Sequence, residues 1–333
     1  MDILYSSPWT PVEWIAAHGF TPRGAWFAAA RHSAALPEGV CAFAKGLQNL
    51  NESEPQSPMI FTTACDQMRR AADAASLSRN CPTFLFNLPA TWQTLAARKL
   101  YRAEVDRLGK FLERHGGRAP TSAALAAIMR EHDGKRQQLR RSIPQCPARQ
   151  NAEAMASFWG ATGEARLGFG VPPSGGPSAT PPEGETPNLK VPLALVGGPL
   201  AATEWNLFDV VESAGGRIVL NATEPGERCL LPPLPQRLDD PLTALADYYF
   251  DNITDVFQRP NTRLYDWLRA ALNERSVRGI VLWVHIGCDL WRAEAASLRE
   301  AFGLPVLMLD AHEGAGGGLR DTNRLAAFVE SLQ

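Results

Sequence analysis

Gly279-Ile-Val-Leu-Trp-Val-His-Ile-Gly-Cys-Asp289 is the stretch that decides how the rest of the sequence is interpreted. It joins a short apolar run to a helical pattern that extends from Leu290 to Phe302. A short apolar run bounded by a turn is typical of a buried strand, so Cys288 is predicted to lie where a strand ends and a helix begins. Ligands of open α/β sheets bind at that edge, and a helix amino terminus favours a thiolate.

The same arrangement occurs earlier in the chain. Met59-Ile-Phe-Thr-Thr-Ala-Cys65-Asp66 is a predicted strand that ends in a second Cys-Asp pair, and Gly39-Val-Cys41 precedes a short helical pattern. The spacing of these thiols matches no local metal motif, and no Cys-x-x-Cys occurs, so any metal site must be assembled from distant segments. Two interpretations stay open: three buried structural cysteines, or three thiolates that converge on an iron–sulfur cluster. The other cysteines are interpreted as buried or incidental: Cys81, Cys146 and Cys229.

The composition is that of a globular protein, because 45% of the 333 residues are hydrophobic and 20% are charged. This length predicts two domains of ordinary size. The net charge of −2 argues against a nucleic-acid partner, which normally requires a basic face. No apolar run reaches the ~18 residues of a membrane span, and the first residues lack a signal-peptide pattern. A cytoplasmic protein with no membrane partner is therefore expected.

A Pro-, Gly- and Ser-rich segment at 170–190 has almost nothing to bury and is predicted to be a linker. Residues 1–169 are predicted to form an N-terminal α/β domain with a helical extension, and 191–333 a C-terminal α/β domain. Short strand patterns alternate with helical patterns in both, which implies parallel sheets. We therefore predict two doubly wound, Rossmann- or flavodoxin-like domains, with the ligand site in the crevice between them.

A helical pattern that starts at Thr121 or Ser122 ends in a basic cluster. The cluster consists of Lys135, Arg136, Arg140 and Arg141. We interpret it as a solvated helix end whose charges complement the helix dipole. The alternative is a docking surface for an anionic cofactor or an acidic partner.

Other candidates for chemistry rest on less specific patterns. His285 lies inside a predicted strand, where a lone histidine is more often a core residue than a ligand. The glycine loop at 314–318 could cradle a phosphate with its backbone N–H groups, or be an ordinary turn. The sequence contains no Gly-x-Gly-x-x-Gly fingerprint.

A series of short motifs runs through the chain in a characteristic order. They are Tyr5-Ser-Ser-Pro8, Gly39-Val-Cys41, Thr62-Thr-Ala-Cys-Asp-Gln-Met-Arg-Arg70, Phe86-Asn-Leu-Pro89, Leu195-Val-Gly-Gly-Pro199, Cys288-Asp289 with Glu294, Gly303-Leu-Pro-Val-Leu-Met-Leu-Asp310 and Asn323-Arg-Leu-Ala-Ala-Phe328. Together they resemble the iron–sulfur subunits of the 2-hydroxyacyl-CoA dehydratase and benzoyl-CoA reductase family, and are similar to the 2-hydroxyglutaryl-CoA dehydratase D-component. The resemblance covers nearly the whole chain.

The resemblance implies that Cys41, Cys65 and Cys288 ligate a [4Fe-4S] cluster in the crevice between the domains. It implies a CoA thioester as substrate and a homologous cluster-bearing subunit as partner in a heterodimer. It also implies an ATP-hydrolysing iron–sulfur activator that delivers low-potential electrons, so ATP is used by the activator and not by this chain.

Within the family, the segment from Cys288 to Glu294 looks more similar to the benzoyl-CoA reductase branch. The resemblance therefore implies a subunit of an oxidoreductase that reduces an aromatic acyl-CoA. A 2-hydroxyacyl-CoA dehydratase subunit, a lyase that eliminates water through a ketyl radical, is the alternative, and a non-catalytic electron-relay subunit is another. Glu294 and His285 are candidates for proton transfer.

The phosphates of CoA require cations or backbone N–H groups. Candidates near the end of the chain are Arg320, Arg324, Gly316 and Gly317. Their assignment rests on the expected substrate.

Overall fold

The structure, a computed structural model, describes residues 1–27, 39–77, 81–160, 190–311 and 319–333. Its first half contains one sheet and six α-helices. The elements are β1 (Asp2–Tyr5), α1 (Val12–Ala17), β2 (Thr21–Gly24), α2 (Ala42–Ser53), β3 (Met59–Thr62), α3 (Asp66–Leu77), β4 (Thr83–Phe86), α4 (Leu95–Arg114), α5 (Ser122–Ser142) and α6 (Ala148–Phe158).

The second half repeats this architecture with a second sheet. Its elements are β5 (Val191–Pro199), α7 (Asn206–Ser213), β6 (Gly216–Glu224), α8 (Pro241–Asp251), α9 (Thr262–Glu274), β7 (Gly279–His285), α10 (Asp289–Phe302), β8 (Val306–Ala311) and α11 (Leu319–Glu330). Among the described helices, none is long and apolar enough to span a membrane.

Both sheets are parallel and have the same strand order. The first sheet runs β2-β1-β3-β4 and the second β6-β5-β7-β8. The chain order therefore reverses direction between β1 and β3 and again between β5 and β7. Ligands of doubly wound folds bind beyond the carboxyl ends of the strands at such a reversal. The predicted fold class is confirmed.

The strand ending before Gly287 is confirmed as β7, in which all seven residues are buried. Burial on both faces is what a central parallel strand requires. Strands β1 and β2 were missed by the sequence analysis. Strand β2 also contains Pro22, which is tolerated because β2 lies at the edge of its sheet. Asp310 is a residue of β8.

A helical layer formed by α4, α5 and α8 joins the two halves along one side, and we call it the helical clasp. Helices α4 and α5 belong to the first half but pack against α8 of the second. Arg98 on α4 pairs with Asp251 on α8 at 2.6 Å, and Arg102 Nε donates to Asp247 Oδ1 at 2.8 Å. The boundary predicted at 170–190 lies, apart from Lys190, outside the described residues and stays a prediction.

Arg136 corrects the interpretation of the basic helix end, because its side chain is fully buried. It forms an ion pair with Glu13 of α1, and the Tyr249 hydroxyl donates to the other Glu13 oxygen at 2.6 Å. Burial alone would raise the pKa of Glu13, but Arg136, His132 and the Tyr249 hydroxyl together hold that pKa below its ordinary value. Lys135 and Arg141 are exposed, as expected for a solvated end.

Glu204 gives the stability of the second half a dependence on pH. Burial raises the pKa of this carboxyl group from 4.5 to about 7, although Ala201 N–H donates to it at 2.7 Å. A raised folded-state pKa contributes stability below pH 4.5 that is lost as the pH rises through about 7. We expect Glu204→Gln to be more stable than wild type at pH 8 by up to about 3 kcal/mol, and much closer to it at pH 5. Urea unfolding at both pH values measures this, and a difference independent of pH contradicts it.

Candidate functional site

A cavity of about 370 Å³ lies beyond the carboxyl ends of strands from both sheets. Residues that follow β1 and β3 line it from the first half, and the last residues of β5 and β6 together with residues that follow β7 line it from the second. The three cysteines singled out in the sequence, Cys41, Cys65 and Cys288, all lie in its wall. The cavity thus occupies the place where the two strand-order reversals meet.

Each of these thiols belongs to a residue that immediately precedes a helix. Cys41 caps α2, where its sulfur accepts the Ala44 N–H at 3.5 Å. Cys65 directly precedes α3, and Cys288 is the capping residue of α10. Three helix amino termini therefore surround one cavity, and such termini favour bound anions.

The side chain of Gln67 links two of the three cysteine segments and was not singled out in the sequence. Its amide oxygen accepts the Cys41 N–H at 3.3 Å, and its amide nitrogen donates to Gly287 O at 3.5 Å. Gly287 has a φ of +85°, and a Cβ there would meet Gly39 O at 3.0 Å, so this turn requires glycine. Gln67 lies in the first turn of α3, two residues after Cys65, and therefore ties all three segments together.

The thiols are not poised as thiolates, which corrects the expectation drawn from the helix amino termini. Burial raises the pKa of Cys41, and it raises that of Cys65 to about 12 and that of Cys288 to about 11. Backbone N–H groups of the following helices lower these values only in part. Since thiolates are the metal-binding form, a metal bound here would displace the thiol protons.

Several buried polar atoms of the cavity wall lack a hydrogen-bond partner among the described residues. They are Ser6 Oγ, Thr62 Oγ1 and His285 Nδ1. The other ring nitrogen of His285 lies 2.7 Å from Pro199 O, and because a carbonyl only accepts, Nε2 carries the proton and Nδ1 a lone pair. Burial lowers the pKa of His285, which favours this neutral form. Buried polar atoms of this kind mark where a ligand or water binds.

Four acidic residues line the cavity. Asp66 and Asp289 belong to the Cys-Asp pairs, whereas Glu224 and Asp255 were not singled out in the sequence. Glu224 ends β6, and Asp255 follows α8. The fully buried Arg228 contacts both, with Nη1 2.6 Å from Asp255 Oδ2 and Nη2 3.7 Å from Glu224 Oε2. Burial, and next the neighbouring Asp255, raise the pKa of Glu224.

Glu294 lies outside the cavity wall, although the sequence analysis named it for proton transfer. Its carboxylate pairs with Arg259 at 3.0 Å, and it also accepts hydrogen bonds from Asn261 at 3.1 Å and from the Tyr265 hydroxyl. Glu294 is only 4% exposed, so its observed role is to hold α10 against the start of α9. His285, the other named candidate, does line the cavity.

Arg320 and Arg324, two of the residues named for CoA phosphates, do not line this cavity. Arg324 Nη2 donates to Met308 O at 2.7 Å, and Arg320 is exposed on α11. Gly316 and Gly317 lie outside the described residues. This assignment stays a prediction.

Comparison with known protein families agrees with the resemblance between motifs. The model of the 2-hydroxyglutaryl-CoA dehydratase D-component family matches residues 9–165 and 176–332, which include all three cavity cysteines. No curated protein matches the chain. Because the family match covers most of both halves, this chain belongs to the 2-hydroxyglutaryl-CoA dehydratase D-component family.

Proposed function

We propose that this chain is the [4Fe-4S]-bearing subunit of a 2-hydroxyacyl-CoA dehydratase, with Cys41, Cys65 and Cys288 as the cluster ligands. One observation carries the proposal: three thiols from distant segments lie in the wall of one cavity. Iron–sulfur clusters are typically held by cysteine thiolates. Three protein ligands leave one iron for a substrate oxygen.

The donor set suits a cluster better than a single metal ion. Within the described part of the chain, no three His, Cys, Asp or Glu side chains are grouped closely enough to share one ion. In a cluster each thiolate binds a different iron, so the ligands stand further apart. Three helix amino termini add favourable charge for an anionic cluster.

When bound, the cluster would supply a single electron and a Lewis-acidic iron. The chain's own residues provide the surroundings. Apolar side chains such as Phe43, Phe257 and Trp291 exclude water from the cavity. The lone pair of His285 Nδ1 and the hydroxyl groups of Ser6 and Thr62 remain available to hydrogen-bond a bound thioester or its hydroxyl group.

The partners follow from the same proposal. An ATP-hydrolysing iron–sulfur activator would deliver the electrons, and a homologous subunit would complete a heterodimer. The substrate would be a CoA thioester whose phosphates lie outside the cavity, for which Arg320 and Arg324 remain candidates.

A benzoyl-CoA reductase subunit is the second candidate, favoured in the sequence by the segment from Cys288 to Glu294. In the structure Glu294 lies outside the cavity, so it is not placed to donate a proton in ring reduction. The family description names a dehydratase. We therefore place the dehydratase first.

Anaerobic purification with the neighbouring subunit, followed by iron and acid-labile sulfide analysis, tests the cluster. We expect about four irons and four sulfides in this chain. With activator, ATP and reductant, 2-hydroxyacyl-CoA thioesters should be dehydrated and benzoyl-CoA should not be reduced. The reverse substrate result would favour the reductase. A folded heterodimer without iron would contradict the proposal.

A further inference from the structure

The charges beside the cavity do not balance, and this imbalance points to a role for one acid. Arg228 is the buried cation shared by Glu224 and Asp255. One guanidinium compensates one carboxylate, so a second negative charge in the same buried place would be uncompensated. One of the two acids is therefore expected to keep its proton.

The geometry decides which of the two acids is protonated. Arg228 Nη1 donates to Asp255 Oδ2 at 2.6 Å, and the Trp9 indole N–H lies 3.4 Å from the same oxygen. The closest approach of Arg228 to Glu224 is 3.7 Å, which is beyond hydrogen-bond distance. Asp255 thus receives the charged contact, and Glu224 does not.

Three of the other four N–H groups of Arg228 donate to backbone carbonyl groups. Nε donates to Ala222 O at 3.0 Å, Nη1 also to Thr254 O at 2.9 Å, and Nη2 points to Gly197 O at 3.4 Å. These bonds hold the guanidinium in place, so it is not free to move towards Glu224. The fold therefore fixes the difference between the two acids in their contact with Arg228.

The groups facing Glu224 are few. Besides Asp255 and Arg228, the side chains of Ser7 and Trp26 contact its carboxyl group, and their hydrogen bonds only partly offset the effect of burial on its pKa. Cys229 and Cys288 lie near enough for the charge of Glu224 to affect their thiols. With 15% of its side chain exposed in the cavity wall, Glu224 can be reached by a ligand there.

We propose that Glu224 is the proton donor for the hydroxyl group that leaves the substrate in this cavity, a role that rests on the dehydratase function proposed above. As the carbon–oxygen bond breaks, its electron pair stays on the oxygen. That oxygen takes the Glu224 proton and departs as water. The carboxylate that remains regains a proton from solvent. The activator supplies one electron before the carbon–oxygen bond breaks, and the resulting substrate radical returns that electron to the enzyme once the neighbouring carbon has lost a proton to solvent and the double bond has formed.

Infrared difference spectroscopy of the folded chain tests the protonated acid without any need for turnover. Wild type minus Glu224→Gln, near neutral pH, should show the carbonyl band of a protonated carboxyl group, shifted in deuterium oxide. Asp255→Asn leaves Arg228 without its partner, so Glu224 should ionise and the band should disappear. Absence of the band from wild type would overturn the assignment.

Kinetics of the loaded heterodimer test the role in proton transfer. General acids typically contribute ~10²–10⁴-fold, so kcat of Glu224→Gln should fall by that factor with iron content unchanged. In wild type, kcat should fall as the pH rises and Glu224 loses its proton. Glu224→Asp should recover part of the rate, and the matched variant Glu204→Gln, outside the cavity, should keep wild-type kcat.

The two proposals fail in different ways. A heterodimer without iron and without turnover would contradict the proposed dehydratase function. The infrared band would still report whether Glu224 is protonated. Full kcat in Glu224→Gln, with iron present, overturns the proton-donor role and leaves the dehydratase function standing.

Discussion

Replacing Cys288 with alanine is expected to remove the bound iron and abolish turnover while the chain stays folded. Cys288 provides one of three thiols in the cavity wall, and no other described cysteine lies there to replace it. Loss of a residue that merely supports a metal ligand typically costs 10–100-fold, so loss of a ligand should cost more than about 100-fold. Iron and sulfide content, with kcat of the heterodimer, measure the effect.

Cys81→Ala is the matched control. Burial raises the pKa of Cys81 to about 11, as it does for Cys288, but Cys81 lies two residues before β4 and donates to Ser57 O at 2.9 Å. It does not line the cavity. We expect Cys81→Ala to keep its iron and its turnover. Equal iron loss in both variants would indicate that the thiols act through stability and not as ligands.

Replacing Glu13 with glutamine is expected to destabilise the chain by about 3–5 kcal/mol. The change leaves the fully buried Arg136 without a counter-charge. It also replaces the carboxylate oxygen that accepts the hydrogen bond of the Tyr249 hydroxyl by the weaker acceptor of a neutral amide. The midpoint of urea unfolding, monitored by tryptophan fluorescence, measures the loss.

A double-mutant cycle separates charge compensation from packing. Arg136→Met should also destabilise the chain, because it leaves the buried Glu13 carboxylate without a counter-charge. The double variant should be much more stable than the sum of the single effects predicts, because no buried charge remains. Glu131→Gln is the matched surface control, since Glu131 pairs with Lys135 while both side chains are more than half exposed, and it should change stability little. Additive effects of the single replacements would contradict the predicted coupling.

Local sequence patterns were sufficient to predict the elements that carry the cysteines. Cys65 and Cys288 each follow an apolar strand and precede an amphipathic helix, and both junctions are confirmed. Such junctions can be recognised in a sequence because the hydrophobic periodicity of a strand or a helix depends only on neighbouring residues. The family and the doubly wound fold followed from these and the other motifs.

Residues that act through distant partners gave no comparable signal. Gln67 contacts residues 26 and 220 positions away, and Arg136 pairs across 123 positions. Arg136 lies within a run of charges that looks solvated, and only the fold shows that one member of the run is buried. Glu224 ends a strand like many other polar residues, and its importance depends on Arg228 and Asp255, which the chain brings together only when folded.

The helical clasp has a consequence for how the protein unfolds. Each half contains its own sheet, but the first half supplies Glu13 and Arg136 while the second supplies Tyr249. Severing the halves would expose a charged pair and the apolar faces of α4 and α8 together. We therefore expect the two halves to unfold together, so that the cavity walls lose their structure in the same cooperative step as the helical clasp.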